Sequence, residues 1–385
     1  MGRFAIFVED RVFRRSDGDV VSTNRRLEDR HWQELGPAGH EAVLCARLKP
    51  SDDEVAPHVI DGTVIGLPYY KGIAGTNALK LPLLFMKALR IAREVDLVVA
   101  KCPGLVGNLA VFAARLTGTP AAVHFVGDIV DSISSSSSAR HRQLIKWLAT
   151  KMSQLAVRQA AAVRYPTQAF LQSKYGAADS SRQFWYTDAA VEALDTVPTP
   201  SFVPGRIVAI GTQEVMYKGH DFLIRAMLTI REKVPGATLV LVGNGACRGQ
   251  LVDLVDELDL RDCVEFVDFL DGWGEVSAVL RSAHVFAMPS LVEGLPRALL
   301  EAMSLGTACV GTEVAGIPEL LPRHLLVPSG EVAPLADAIT RLLTDEEARL
   351  QAANECLERS RPFTAEALEP NIEAWQDRLQ ELIAR

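Results

Sequence analysis

The sequence holds no run of eighteen apolar residues free of charge, so no transmembrane helix is expected. Its opening, MGRFAIFVEDR, sets charges within and around the first apolar run, so no signal peptide is expected either. Cysteine is sparse. The six residues, Cys45, Cys102, Cys247, Cys263, Cys309 and Cys356, form no close pair, which argues against a zinc site or a redox CxxC and for buried, reduced thiols. No GxGxxG occurs, so dinucleotide binding gains no support. Positive charge is in deficit, with 40 basic against 48 acidic residues and a net charge of −8, which argues against a general nucleic-acid binder. A net count is blind to local basic patches, so a membrane-bound acceptor stays open. These absences leave a cytoplasmic protein as the expectation.

What is present is length and alternation. At 385 residues and 48% hydrophobic, the chain exceeds one ordinary core and fits two domains. The best boundary is the proline-rich VPTPSFVP over 197–204. It divides an N-terminal domain, 1–198, from a C-terminal domain, 205–363, with a last amphipathic helix over 364–385. Strand and helix patterns alternate on both sides, which predicts parallel sheets covered on both faces. In the first half, 4–8, 40–44, 63–66, 96–100, 121–126 and 161–164 read as strands. A loop is expected over 9–19, where Arg11, Arg14 and Arg15 could meet an anion or simply face water. A helix capped by Ser22, Thr23 or Asn24 is expected to run to about Leu35. The tyrosine-bearing loop 68–76 and the serine run 134–138 are further candidate acceptor contacts or plain surface loops. The helix over 144–159 is amphipathic and flanked by basic residues. It suits either an anionic lipid surface or ordinary solvation.

The most informative stretch is AHVFAMPSLVEGLPRALLEAMSLGTACVGTEVAGIPELLP, 283–322. Residues 285–288 read as a buried strand. A loop carries Glu293, Gly294 and Leu295, and Pro296 is expected at the first helical position, where its missing N–H costs nothing. A helix over 297–305 holds Glu301 in its second turn, about 7 Å along the axis from Pro296. Free N–H groups at such a helix start can face an anion, with one carboxylate on each side for hydroxyls. That layout suits a sugar nucleotide. It equally suits a helix start with an acidic residue placed for its dipole.

This stretch resembles the signature of retaining GT-B glycosyltransferases of the family 4 type (glycosyltransferases group 1), and FVGDIVDS at 125–132 resembles their bacterial surface-polysaccharide branch. EGLPRALLEAM and AGIPELL carry the first match, and GTQEVMYKGHDFLIRA, 211–226, extends it. The resemblance implies a GT-B fold, two Rossmann-like α/β domains with parallel sheets facing a central cleft. It implies that Glu293 contacts the donor sugar, that Glu301 holds the ribose diol and that Lys218 neutralises the donor diphosphate. Gly243 and Gly245 match a loop close to the nucleotide, and Gly294, Leu295 and Pro296 the helix start beneath it. Thr212 stands where relatives often carry an arginine. Asp128 follows a glycine where relatives usually show His-Asp. It is read as orienting the acceptor or a donor hydroxyl, or as a cap, while His124 reads as structural.

The implied activity is transfer of a hexosyl unit from a nucleotide-diphosphate sugar, with uridine the commoner base among relatives, to a glycan or lipid-linked acceptor in surface polysaccharide assembly. Configuration is expected to be retained. No tightly bound cofactor and no metal are expected, and no D-x-D cluster lies where a donor would bind. Partners would be the donor, the acceptor and the cytoplasmic face of the inner membrane, not nucleic acid. Two other readings remain at this point, transfer to a small secondary metabolite and a non-catalytic sugar-nucleotide-binding regulator. An epimerase or phosphorylase of the same architecture is a weaker one, and no pyridoxal-anchoring lysine motif is found.

Overall fold

A computed structural model describes residues 1–22, 27, 31–49, 58–70, 80–128, 139–177, 179–198 and 201–385, with the side chains of residues 31 and 139–142 left undescribed. The chain forms two compact units, 1–186 with 370–385, and 187–369.

The first unit is built on a nine-stranded sheet. Its strands are β1 (Arg3–Arg14), β2 (Val20–Ser22), β3 (Glu41–Lys49), β4 (His58–Val59), β5 (Thr63–Pro68), β6 (Leu97–Cys102), β7 (Ala121–Phe125), β8 (Ala162–Tyr165) and β9 (Gln183–Trp185). The order is β4-β2-β1-β6-β7-β8-β9, with β3 added on β1 and β5 on β3. Pairings from β5 through β3, β1 and β6 to β9 are parallel, and among the described residues only the β1–β2 and β2–β4 pairs are antiparallel. Helices α1 (Leu81–Arg93), α2 (Leu105–Thr117) and α3 (Ala139–Gln159) lie side by side on one face, and the short α4 (Phe170–Tyr175) packs against α3.

Alternation along β7 explains the two faces. Val123 and Phe125 enter the core shared with α1, α2 and α3. His124, between them, points the other way. It contacts the Leu35 carbonyl through Nε2 at 2.8 Å, lies 3.1 Å from Arg164 through Nδ1 and meets the Trp375 ring edge-on. Both Trp32 and Trp375 are fully buried. His124 is thus a core residue held on three sides.

The second unit holds a six-stranded, wholly parallel sheet in the order β12-β11-β10-β13-β14-β15. Its elements are β10 (Arg206–Ile210), α5 (His220–Lys233), β11 (Thr238–Val242), α6 (Arg248–Glu257), β12 (Val264–Val267), α7 (Gly272–Ser282), β13 (Val285–Met288), α8 (Arg297–Ser304), β14 (Cys309–Thr312), α9 (Ile317–Leu320), β15 (Leu326–Val327), α10 (Val332–Thr344) and α11 (Glu346–Ser360). This is the doubly wound order, in which the chain reverses direction between β10 and β13. The strands are near-continuous apolar runs, as sheets covered on both faces require. The last helix, α12 (Ala365–Ile383), carries Pro370, where the second unit gives way to the first.

Three local expectations are corrected. The segment 9–19 is not all loop. β1 runs on to Arg14, because Val12 and Phe13 are buried and β3 continues beside it across a register shift between Phe7 and Arg11. That irregularity lets the polar Glu9-Asp10-Arg11 stretch stay in the strand. A tight turn with Gly18 at φ +98° then leads into β2. Ser22 closes β2 rather than capping a helix, and the described residues from there to Leu35, Leu27 and His31–Leu35, are in 3-10 conformation. Pro296 is the N-cap of α8, with an extended ψ of 112°, and the helix begins at Arg297. The caps Thr23 and Asn24, residues 71–76 of the tyrosine-bearing loop, the serine run 134–138 and residues 199–200 of the proline-rich segment lie outside the described residues.

Trp375 sits 5.0 Å from the His124 ring and 5.5 Å from Phe184 by ring centroids. Trp375→Ala is expected to destabilise the first unit by about 3–5 kcal/mol. This should appear as a lower midpoint of urea unfolding by circular dichroism, and an unchanged midpoint would remove the end of α12 from that unit's core.

Candidate functional site

Because every strand of the second sheet points the same way, the loops that leave their carboxyl ends gather along one edge. The loop after β10 carries Thr212, Gln213 and Lys218. The loop after β11 carries Gly243 and Gly245. The loop after β13 carries Ser290, Glu293, Gly294, Leu295 and Pro296. These loops are tied to one another by backbone bonds. Gly211 donates to the Val242 carbonyl at 3.0 Å, Gln213 to Asn244 at 3.0 Å, Cys247 back to Gln213 at 2.8 Å, and Leu291 to Tyr217 at 2.7 Å. Gly316, from the loop after β14, donates to the Gly294 carbonyl at 2.9 Å.

Glycines make these approaches close. Gly219 has φ +72°, and a Cβ there would lie 2.0 Å from the Pro289 carbonyl oxygen. Gly243, at φ +135°, would place a Cβ 2.1 Å from the Gly211 oxygen. No residue with a Cβ satisfies either position without moving backbone.

The edge brings Lys218 and Glu293 together across the β10–β13 reversal. Lys218 Nζ lies 2.5 Å from Glu293 Oε1, and the Ser290 hydroxyl donates to the same oxygen at 2.7 Å. Glu293 is 7% exposed and Ser290 fully buried. Ser290 is held in turn by Thr312, whose hydroxyl donates to its carbonyl at 2.5 Å. A buried carboxylate needs such partners, since unpaired it would be costly to keep charged. Ser290 is a site residue that sequence reasoning missed. Its only signal was its place three residues before Glu293 at the end of a buried strand.

Glu301 lies on α8, where its carboxylate accepts from Arg297 Nε at 2.7 Å, an i, i+4 pair. Glu301 is largely buried while the Arg297 side chain is mostly exposed. The first turn of α8 has N–H groups with no partner inside the helix, as every helix start must. The Thr212 hydroxyl accepts from the Glu214 amide at 3.2 Å and so shapes its own loop. Neighbouring Gln213 is a second residue missed from the sequence. It is 1% exposed, and neither its amide nitrogen nor its amide oxygen has a hydrogen-bond partner among the described residues. A buried primary amide left so is uncommon and fits a place where a bound molecule completes the bonding.

Asp128 belongs to the first unit, just past β7. Its carboxylate pairs with Lys174 and accepts from the Tyr175 hydroxyl at 2.6 Å, which ties the β7 end to α4. The segment 129–138 between Asp128 and α3 lies outside the described residues. Glu9 is a further carboxylate at this sheet's carboxyl edge. It accepts from the Tyr70 hydroxyl at 2.8 Å and from the Val106 amide at 2.7 Å, in the first turn of α2. It borders a cavity of about 280 Å³ with Asp10, Lys101, Pro103 and Val126. Among the described residues no group of three or more His, Cys, Asp or Glu could hold a metal ion. The six cysteines are free, five of them buried.

Comparisons with known proteins agree with this layout. Residues 204–345 match the family described as glycosyl transferases group 1, and residues 29–173 the glycosyl transferase 4-like domain. The amylovoran biosynthesis glycosyltransferase AmsK of Erwinia amylovora is 33% identical over 138 residues, covering 34% of this chain and 34% of the relative. The putative colanic acid biosynthesis glycosyltransferase WcaL of Escherichia coli is 35% identical over 141 residues, with 34% of each covered. The alignments thus span about a third of these relatives' length. Among solved structures, sucrose-phosphate synthase from Thermosynechococcus elongatus superposes with a TM-score of 0.69 at 19% identity, covering 100% of both chains. Anabaena HepE in complex with UDP gives 0.64 at 17%, again over 100% of both. At such identities the superpositions report fold, and the fold is GT-B, two Rossmann-like α/β units with parallel sheets.

His220 opens α5 beside Lys218. Burial, and then the Lys218 ammonium, hold its imidazole down to about 4. Between that value and the ordinary 6.5, the unfolded chain binds a proton that the folded chain refuses. Stability therefore rises with pH across this window and is lost as pH falls through it. The second unit is expected to lose roughly 3 kcal/mol from this group between pH 6.5 and 4. Melting curves at stepped pH check this, and His220→Asn should flatten the dependence. An equally steep curve in the variant would assign it to other groups.

Proposed function

We propose that this GT-B glycosyltransferase-type enzyme moves a hexosyl unit from a nucleotide-diphosphate sugar, with UDP as the carrier, to a glycan or lipid-linked acceptor in surface polysaccharide assembly. The observation that carries the reading is the Lys218–Glu293–Ser290 cluster, built where the strand order reverses and beside the start of α8. Open α/β sheets bind ligands at such reversals. The likeness to AmsK and WcaL supports the polysaccharide setting, and UDP bound to HepE supports the choice of carrier.

In this reading the diphosphate lies over the first turn of α8, near the amides of Gly294, Leu295 and Arg297. Lys218 neutralises the charge that grows on it as the bond from sugar C1 to phosphate oxygen breaks. Gly243 and Gly245 let the backbone after β11 come close to the nucleotide, and Thr212 stands by with a hydroxyl. Glu301 receives the ribose diol. Glu293 exchanges part of its bonding to Lys218 for hydroxyls of the donor sugar, and Ser290 keeps it in place. The acceptor oxygen forms the new bond to C1 on the face the phosphate left, and its proton passes to the departing phosphate. Configuration is then retained with no protein nucleophile and no metal. Asp128 and the carboxyl edge of the first unit's sheet serve the acceptor, and the enzyme works at the cytoplasmic face of the membrane.

Calorimetry with UDP tests the donor half. Glu301→Gln removes one charged hydrogen-bond partner, worth about 1.5–3 kcal/mol, and should weaken binding by roughly ten-fold or more. Lys218→Ala leaves the buried Glu293 carboxylate without its cation, so it should lower the melting temperature, stay folded and lose most turnover. Wild-type UDP affinity in Glu301→Gln, or wild-type turnover in a folded Lys218→Ala, would reject these assignments. Proton NMR of the first product formed decides the stereochemistry, and an inverted anomeric signal would reject retention.

A further inference from the structure

Helix α3 is amphipathic the wrong way round for a helix that only covers a sheet. Its inner face is small, with Ala149, Ser153, Ala156 and Val157 buried. The Asn108 side-chain amide donates to the Ser153 hydroxyl at 3.0 Å and pins α3 to α2. The opposite face reads Leu144, Leu148, Lys151, Leu155 and Arg158, a single stripe at spacings of four, three, four and three. Leu144, Trp147, Leu148 and Leu155 are each at least 50% exposed. The neighbouring helices continue the pattern. Leu83 and Met86 on α1 and Leu116 on α2 are more than half exposed. Beside α1 lies a hollow of about 480 Å³ that Ile65, Leu83 and Met86 line with Lys87 and Arg90.

Charge within the spans of these three helices is one-sided. The three helices carry nine basic residues and not one Asp or Glu, in a chain whose net charge is −8. Glu94 follows α1 directly and pairs with Arg90 at 3.1 Å. Such segregation does not arise from solvation, which mixed charges serve better. A second copy of this chain is a poor occupant, since two such layers facing each other would set like charge against like. A bilayer rich in anionic lipid answers both features. Its phosphates take the lysines and arginines, and its interface takes Trp147 and the leucines.

We infer that the α1–α2–α3 layer of the first unit, with the outward stripe of α3 at its centre, docks on an anionic lipid surface. This rests on the membrane part of the reading above and names the surface that serves it. Binding needs neither donor nor transfer, so its failure is separable from failure of the activity.

The test uses the full chain and vesicles of phosphatidylcholine, with or without phosphatidylglycerol, in flotation at low and high salt. The expected result is binding only to the anionic vesicles, reversed by salt, with a blue shift of Trp147 emission that Trp147→Phe removes. Charge reversal at Lys146→Glu, Lys151→Glu and Arg158→Glu together should lower partitioning by about 100-fold or more. The urea-unfolding midpoint of the first unit, read by circular dichroism, should stay near wild type, which shows the variant is folded. No binding to anionic vesicles at low salt would overturn the inference. So would binding that the triple variant leaves intact, or a soluble dimer that Trp147→Ala dissolves.

Discussion

The parallel direction of the six strands in the second unit is the constraint on which the candidate site depends. A parallel sheet sends every strand-to-helix loop to one edge, so residues from three separate loops meet without any contact in sequence. Lys218 and Glu293 lie 75 positions apart, yet their charged atoms sit 2.5 Å from each other. The reversal of strand order between β10 and β13 opens room above them, and the start of α8 supplies backbone N–H groups beside it. The glycines at 219 and 243 follow from the same geometry, since the loops press together until a Cβ no longer fits.

Much of this was legible along the chain. Strand β13 begins and ends where its apolar run does, and β10 adds only Arg206 before its own run, because fully covered parallel strands are apolar along their length. Helix α8 was legible from its helix formers and from Gly306, which takes φ +70° just past its end. The course of β1 was not. Its polar stretch at Glu9-Asp10-Arg11 resembles a loop in sequence, and only the register shift against β3 allows it to remain a strand. The offset of one residue at Pro296 has a plain cause. Proline suits both the cap and the first helical position, as both dispense with its N–H, and ψ alone decides between them.

The site was legible as a set of residue types and opaque as a set of bonds. Local spacing brought out Glu293 and Glu301, which share one loop and helix. It could not foresee that Ser290 completes the carboxylate's bonding, because a serine after a buried strand has many other uses. Nor could it foresee Gln213, whose burial depends on the loops after β10 and β11 closing over it. Asp128 shows the converse. The sequence marks its position, and the bonds to Lys174 and Tyr175 are what define its surroundings. The basic helices of the first unit were visible in part on α3 alone, and the one-sided charge emerges only when α1 and α2 are seen beside it.

The account's central claim is that the carboxyl edge of the second unit's sheet holds the donor nucleotide. Hydrogen exchange read by mass spectrometry, on the full chain with and without UDP, tests it most directly. The account predicts slower exchange in peptides covering 211–219, 243–248 and 290–301, with the carboxyl edge of the first unit's sheet unchanged. Protection confined to the first unit, or none at saturating UDP, would contradict it.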